Sequence, residues 1–202
     1  QKQASLCYKK LNMSRKNLSV NLKNGFKDYK DLFEIYTKFR SKLNRFKFNS
    51  FVAAISGGPD SLALAALSKA YGLEKKIKIY YVLVNHNIRK NSKSEASQVK
   101  RLLKKYHINL EILSNSQKIN KNIQAKARQI RYEILHDFCL KKKVKIILTA
   151  HNLEDQVETF FIRLSRGSGL TGLSAMKTMT VLKKNIRLFR PLLDIKKNQL
   201  IK

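Results

Sequence analysis

The sequence predicts an α/β fold: a doubly wound, mostly parallel five-stranded sheet with helices on both faces. Three observations carry this prediction. Short apolar runs alternate with longer segments of helical periodicity, the βαβα rhythm of parallel sheets joined by right-handed crossovers. The first of these runs ends in a glycine turn, Ser56-Gly57-Gly58-Pro59-Asp60-Ser61, that opens straight into an apolar helical segment. Polar residues rich in hydrogen-bonding groups follow the apolar runs, at the strand ends where such sheets bind ligands.

Taken in order, residues 1–27 are polar, rich in Lys and Asn and without periodicity, which predicts a basic extension. The chain opens on Gln1, and Met13 is a candidate initiator. The acid-free stretch is compatible with an organelle-targeting segment, although it lacks an arginine-rich amphipathic pattern. The domain is expected over 28–195. It opens with Leu32, Tyr36, Phe39, Leu43 and Phe46 at helical spacing, a packing face. Strands are predicted at Phe51–Ile55, Ile77–Val84, Asn109–Leu113, Lys145–Thr149 and Ile186–Phe189. Between them, Leu62–Tyr71 reads as helix, and so do the stripes Ala96, Val99, Leu103, Tyr106 and Ile123, Ala127, Ile130, Ile134, Phe138. The last stripe, Leu153, Val157, Phe160 and Leu164, is expected to point inward. Residues 191–194 read as the opening of a new element, and 196–202 as the start of a following segment cut at a domain boundary.

Composition bounds the partners. With 202 residues and 43% hydrophobic content the chain can bury a core, and no apolar run approaches the ~20 residues that span a bilayer. The two cysteines, Cys7 and Cys139, are far apart and form no Cys-x-x-Cys pair, which argues against zinc, iron–sulfur or disulfide frameworks and for a reducing compartment. Lys and Arg number 43 against 13 acids, a formal charge of +30. Lysine- and asparagine-rich coding bias accounts for part of that excess. A domain this basic still attracts polyanions, with nucleic acid the expected partner.

Four constellations carry candidate chemistry. In the glycine turn, Gly57 and Gly58 let backbone N–H groups approach an oxyanion, while Ser61 or Asp60 can cap a helix whose positive end attracts phosphate. The turn lacks the Gly-Lys-Ser/Thr ending of the Walker loop. Second, His151-Asn152-Leu153-Glu154-Asp155-Gln156-Val157-Glu158-Thr159 suits a helix N-terminus, with Asn152 as cap and His151, Asp155 and Glu158 on roughly one face. Beside a phosphate-binding turn a carboxylate there can hold Mg²⁺; Asp155 is the preferred ligand, Asp60 the second, and Glu158 can orient the loop. Third, Arg163 through Leu173, with Arg166, Gly167, Ser168 and Gly169, is either a helix C-cap or an anion clamp. Fourth, Arg128 and Arg131 lie one helical turn apart, as a solvated pair or as site residues. Asn85-His86-Asn87 and Ala150-His151 both follow predicted strands and are expected to converge with the glycine turn on one crevice. Single loop histidines such as His86 and His151 are more often satisfied by neighbours than catalytic.

Together, Ser56–Ser61, Val84-Asn85-His86-Asn87-Ile88-Arg89, Ala127-Arg128-x-x-Arg131-Tyr132, His151-x-x-Glu154-Asp155-Gln156-x-Glu158-Thr159 and Arg166-Gly167-Ser168-Gly169-Leu170-x-Gly172-Leu173 resemble the tRNA(Ile)-lysidine synthetase family of PP-loop ATP pyrophosphatases. The resemblance covers about Phe51 to Asp194. It implies ATP-dependent attachment of free L-lysine to C2 of the wobble cytidine of tRNA(Ile) with a CAU anticodon, converting AUG decoding to AUA. It further implies ATP binding by Ser56, Gly57, Gly58, Pro59, Asp60, Ser61, Asn85, His86, Ala150, His151, Arg166 and Gly167. Asp60, Arg131 and Asp155 are the implied catalytic residues, Arg128 a lesser candidate, and Mg²⁺ on Asp155 and Asp60 the implied metal. A bacterial cytoplasm or an AT-rich organelle, no membrane partner and a homodimer are compatible with it. Two departures stand out: Glu154-Asp155 where the family often has Asp-Asp, and Asn85 where aspartate is common. Thiolating relatives commonly need cysteines that this chain lacks in pattern, and amidating relatives do not need such basic surroundings. A basic RNA-binding module with a vestigial ATP site is the alternative from another class.

Overall fold

The computed structural model describes residues 30–88, 91–115, 122–169 and 173–201. Their order is α1 (Lys30–Leu43), β1 (Ser50–Ile55), α2 (Pro59–Lys75), β2 (Lys78–Asn85), α3 (Ser92–Lys105), β3 (Leu110–Ser114), α4 (Ile123–Lys142), β4 (Ile146–Leu148), α5 (Leu153–Ser165), β5 (Met179–Val181), β6 (Arg187–Phe189) and α6 (Lys197–Ile201). The 1–27 extension lies outside the described residues, as do Arg89, Leu170 and Gly172 of the motifs.

Six strands form one sheet in the order β3-β2-β1-β4-β6-β5, parallel throughout except for β5, which runs antiparallel to β6. Five of these strands match the predicted runs, within one residue at nearly every end. The five-stranded expectation falls short by β5. That strand has three residues, none buried, and carries no apolar run to announce it. Its hairpin to β6 turns through Lys184 and Asn185, both at positive φ, rather than through the Asn-Gly or Gly-Gly pairs that mark such turns in sequence.

Parallel strands bury both faces, and β1 shows why its sequence is apolar throughout. Phe51, Ala53 and Ile55 face one core with α1, α2 and α3; Val52 faces the other with Leu135, Phe138 and Cys139 of α4. The helix α2 buries Leu62, Leu64, Leu67, Ala70 and Tyr71 because the sheet covers one side and α1 and α6 pack on the rest. The predicted α1 stripe is a packing face, with Tyr36, Phe39 and Leu43 buried and Phe39 edge-on to Tyr71. Each such side chain contributes roughly 1.5–3 kcal/mol by leaving water. Residues 191–195 are part of this core rather than a new element: Leu192 and Ile195 are fully buried in it.

The inward stripe expected of α5 is corrected. No residue of that helix is buried, and Val157, Phe160, Phe161, Ile162 and Leu164 are 41–60% exposed. The helix is held by polar contacts instead: in its first turn the Leu153 N–H donates to the Ile195 carbonyl and the Gln156 amide clasps both backbone groups of Met176, and in its last turn Arg163 Nη1 donates to the Ser174 carbonyl.

Two helices end on lysine in the left-handed region. Lys76 closes α2 and Lys143 closes α4, at φ 54° and 55°, and Lys184 adopts φ 52° before β6. Glycine is the residue without a steric penalty there; a Cβ costs roughly 1–2 kcal/mol at each position.

Candidate active site

The strand order reverses between β1 and β4, so a crevice opens beyond their carboxyl ends. The glycine turn leaves β1 on one side of it, and Thr149-Ala150-His151-Asn152 leaves β4 on the other. Gly57 stands at φ 92°, and a Cβ there would meet Val99 Cγ2 at 2.9 Å. Gly58 occupies the helix cap position without a side-chain cap, and Pro59 starts α2. Neither expected cap operates. Ser61, buried, instead stitches the turn: its Oγ accepts from the Gly57 N–H at 3.0 Å and donates to the Gly58 carbonyl at 2.8 Å. Ser56 and Pro59 face solvent. The turn therefore presents the free N–H groups of the first turn of α2, together with its dipole, toward the crevice.

Asp60 lies at the centre of the charge pattern. Its Oδ1 is buried without a hydrogen-bond partner. Burial raises its carboxyl above the usual range; Lys197 opposes that, and Asp155 reinforces it. The structure thus brings Asp60 and Asp155 into one electrostatic neighbourhood across the crevice, with Asn152 and Glu154. Asp155 is half committed. Its Oδ2 accepts the Asn152 N–H at 2.9 Å while Asn152 Oδ1 accepts the Asp155 N–H at 3.0 Å, a complete capping box. Glu154 Oε2 accepts the Lys197 N–H at 2.8 Å and so seats α6, whereas Glu158 is exposed. Among the described residues no three His, Cys, Asp or Glu side chains gather to hold a metal. An orphaned Asp60 oxygen beside a second carboxylate nevertheless fits Mg²⁺, which takes one or two carboxylates and completes its shell with phosphate oxygens and water.

A cationic wall faces this pair. The His151 Nδ1 lies 2.9 Å from the Thr149 hydroxyl. Burial first, then the Arg190 guanidinium, push His151 down to about 4, despite the opposing Asp155. Arg131 Nε donates to His86 Nε2 at 3.3 Å, joining α4 to the end of β2, and Arg128 lies over the Tyr132 ring. The first arginine is thus engaged at the crevice rim rather than merely solvated. Asn85 is buried and shapes the loop: its Oδ1 accepts the Asn87 N–H at 3.0 Å, and Asn87 Nδ2 donates to the Asn115 carbonyl at 2.8 Å.

Arg166 and Gly167 are not brought to the crevice. They form the ordinary C-cap of α5, with the Ser168 N–H on the Arg163 carbonyl at 3.1 Å and Gly167 at φ 66°. At 1.5 Å per residue the helix carries them roughly 20 Å from Asn152. Two residues escaped the sequence reading. Arg190 is buried after β6, its Nη1 donating to the Lys177 carbonyl at 2.8 Å and the Thr180 Oγ at 2.9 Å. Lys197 reaches Asp60 through space. Neither belongs to a local pattern; only the adjacency of β6 to β4 and the docking of α6 place them here.

The low His151 value gives a signed pH dependence. Between pH 6.5 and 4 the unfolded imidazole binds a proton that the folded one refuses, so stability falls as pH drops through that window. The expected loss is about 3 kcal/mol. Denaturant melts of the chain and of His151→Gln at pH 7, 5.5 and 4 test it, the variant showing the shallower acid limb. Equal limbs would mean that His151 is not held neutral in the folded chain.

Comparison with known proteins adds three findings. The ATP_bind_3 family, a PP-loop domain, matches residues 32–202. The tRNA(Ile)-lysidine synthase of Rickettsia typhi is 35% identical over 175 residues, 83% of this chain and 40% of the relative; that of Orientia tsutsugamushi is 40% identical over 152 residues, 74% and 34% respectively. The chain thus spans at most about two-fifths of these relatives' length. Among solved structures, the U34-tRNA thiolase NcsA of Methanococcus maripaludis superimposes with a TM-score of 0.68 at 21% identity, covering 85% of this chain and 62% of that one. The NH3-dependent NAD synthetase of Campylobacter jejuni gives 0.53 at 17% identity, covering 85% and 69%. These last two establish the fold alone.

Proposed function

Since the chain belongs to the PP-loop domain family, we propose that it carries the catalytic domain of an ATP-dependent tRNA-modifying ligase that joins lysine to the wobble cytidine of tRNA(Ile). The observation that carries this reading is a crevice at the strand-order switch, flanked by the glycine turn and the Asp60–Asp155 pair, in a chain 35% identical to a tRNA(Ile)-lysidine synthase. Net charge of +30 supports an RNA substrate.

In this reading the C2 oxygen of the cytidine attacks the α-phosphorus of ATP. The bond from that phosphorus to the α,β-bridging oxygen breaks, and pyrophosphate leaves with its electron pair. The lysine amine then attacks C2 of the activated base, the C2–O bond breaks, AMP departs with that oxygen, and the nitrogen loses a proton to water. Residues 56–61 would hold the departing pyrophosphate at the N-terminus of α2, with His86 and His151 bordering the nucleotide. Asp60 and Asp155 would hold Mg²⁺, which supplies charge neutralisation for the triphosphate when bound. Arg131, positioned by His86, would offset the negative charge that develops at the α-phosphate. Arg166 has no part in this account, because α5 holds it at a distance. ATP, free L-lysine and tRNA(Ile) with a CAU anticodon are the implied substrates, and a bacterial cytoplasm the implied setting. Thiolation gains nothing from Cys139, which is buried with its thiol pushed up to about 12.

The test is pyrophosphate release from ATP by the chain supplied with unmodified CAU tRNA(Ile), followed by lysine-dependent AMP release and mass analysis of the wobble nucleoside. Both steps are expected, the second only with lysine. Pyrophosphate release that is indifferent to tRNA would sink the reading.

A further inference from the structure

The edge of the sheet opposite the crevice is a second, unassigned cationic surface, and the geometry points to it as a seat for the phosphodiester backbone of RNA, away from the reacting nucleotide. The inference rests on the RNA reading above and adds a location to it. Strand starts and helix ends meet at this edge. Lys78 opens β2 opposite Ser50, and Arg187 opens β6, its N–H bonded to the Lys145 carbonyl beside β4. Lys76 and Lys143 follow the ends of α2 and α4, and Lys184 turns into β6. All of them are exposed, and none takes part in an ion pair among the described residues. Glu74, the nearest carboxylate along α2, is turned toward Tyr36 and Arg40 of α1 as well as Lys75.

Helix dipoles favour cations in the last turn, and lysine-rich coding spreads them everywhere. Neither explains what is found here. Lys76 and Lys143 stand past the ends of their helices and Lys184 in the β5–β6 turn, all at φ 52–55°, where glycine would be easier to place. Asn87, His107, Asn122 and Asn185 share this conformation, so what sets the three lysines apart is that each is an exposed cation outside every ion pair among the described residues. Lys78 and Lys142 converge on the Tyr80 ring, their Nζ atoms 5.0 and 5.7 Å from its centroid, so two like charges are held together without a carboxylate between them. The acids of the molecule's working end, Asp60, Glu154 and Asp155, all lie at the other edge, roughly 20 Å away along the strands. A row of exposed cations fits phosphate contact, the sequence-independent part of RNA binding.

The test replaces Lys76, Lys143 and Lys184 together by glycine in the full chain. Binding of unmodified CAU tRNA(Ile) and of an unrelated RNA of equal length is followed over a salt series, beside the melting temperature and ATP affinity. The expected result is about tenfold weaker binding of both RNAs near 0.1 M salt and a log–log salt slope shallower by about 2–3. Melting temperature should not fall and ATP affinity should not change. Should that variant fold poorly, Lys78→Gln, Lys142→Gln and Arg187→Gln together, at unstrained positions, must give the same loss. An unchanged slope in a folded variant overturns the proposal. So does a loss of binding to anionic lipid vesicles with RNA affinity retained. Turnover that survives Asp60→Ala overturns the chemistry proposed above but leaves this result standing, so the two failures are distinguishable.

Discussion

Asp60→Asn is expected to lower tRNA-dependent pyrophosphate release by roughly 10²–10³-fold, the scale of losing one preorganised electrostatic group, while leaving the fold at least as stable. The two halves of that result have one cause. The Asp60 carboxyl sits partly buried with Oδ1 unpartnered and with Asp155 nearby, so its charged form is held at a free-energy cost in the absence of a cation. An amide of the same shape removes that cost together with the charge. A catalytic carboxylate then behaves as a site of stored instability, with melting temperature steady or raised as turnover collapses. Steady-state pyrophosphate release and a thermal melt on the same preparation decide the matter. A destabilised variant with near-normal turnover would make Asp60 a structural residue and dissolve the pairing with Asp155. RNA affinity is expected to stay near that of the parent chain in both Asp60→Asn and Asp155→Ala.

Gly57→Ala is expected to damage both stability and nucleotide binding, for two separable reasons. At φ 92° a side chain is strained whatever the space, and the new methyl would stand 2.9 Å from Val99 Cγ2 of α3. The combined cost is roughly 2–4 kcal/mol, with ATP affinity falling at least tenfold as the turn shifts. Adding Val99→Ala relieves the contact but not the dihedral angle, so it should restore part of the stability and little of the binding. Urea unfolding and ATP titration of the single and double variants read this out. Full recovery of binding in the double variant would mean that the turn's conformation is incidental.

Local signals in the chain betrayed the sheet well and the site unevenly. Strands such as Phe51–Ile55 are legible because burial on both faces demands an unbroken apolar run. The capping box at Asn152 and Asp155 is legible because both partners lie within one turn. The α5 stripe misled: Val157, Phe160 and Leu164 have helical spacing, but spacing says nothing about whether another element covers them, and none among the described residues does. Asn85 sits where a ligand-facing residue was expected and spends its carboxamide oxygen on Asn87. Arg190 and Lys197 were invisible because a hydrogen bond or cationic neighbour made by tertiary packing leaves no trace in local pattern. Arg166, which the sequence leaves as part of either a helix C-cap or an anion clamp, closes α5.

The flank of α5 that no described residue covers gives this chain a divided character as a colloidal particle. At low ionic strength, +30 of net charge keeps copies apart before their greasy surfaces can touch. Near 1 M salt the Debye length shrinks to about 3 Å, repulsion no longer reaches beyond the surface, and adhesion between phenylalanine-bearing flanks takes over. Salt that strips nucleic acid from this protein during purification is therefore the same agent that drives it to cluster.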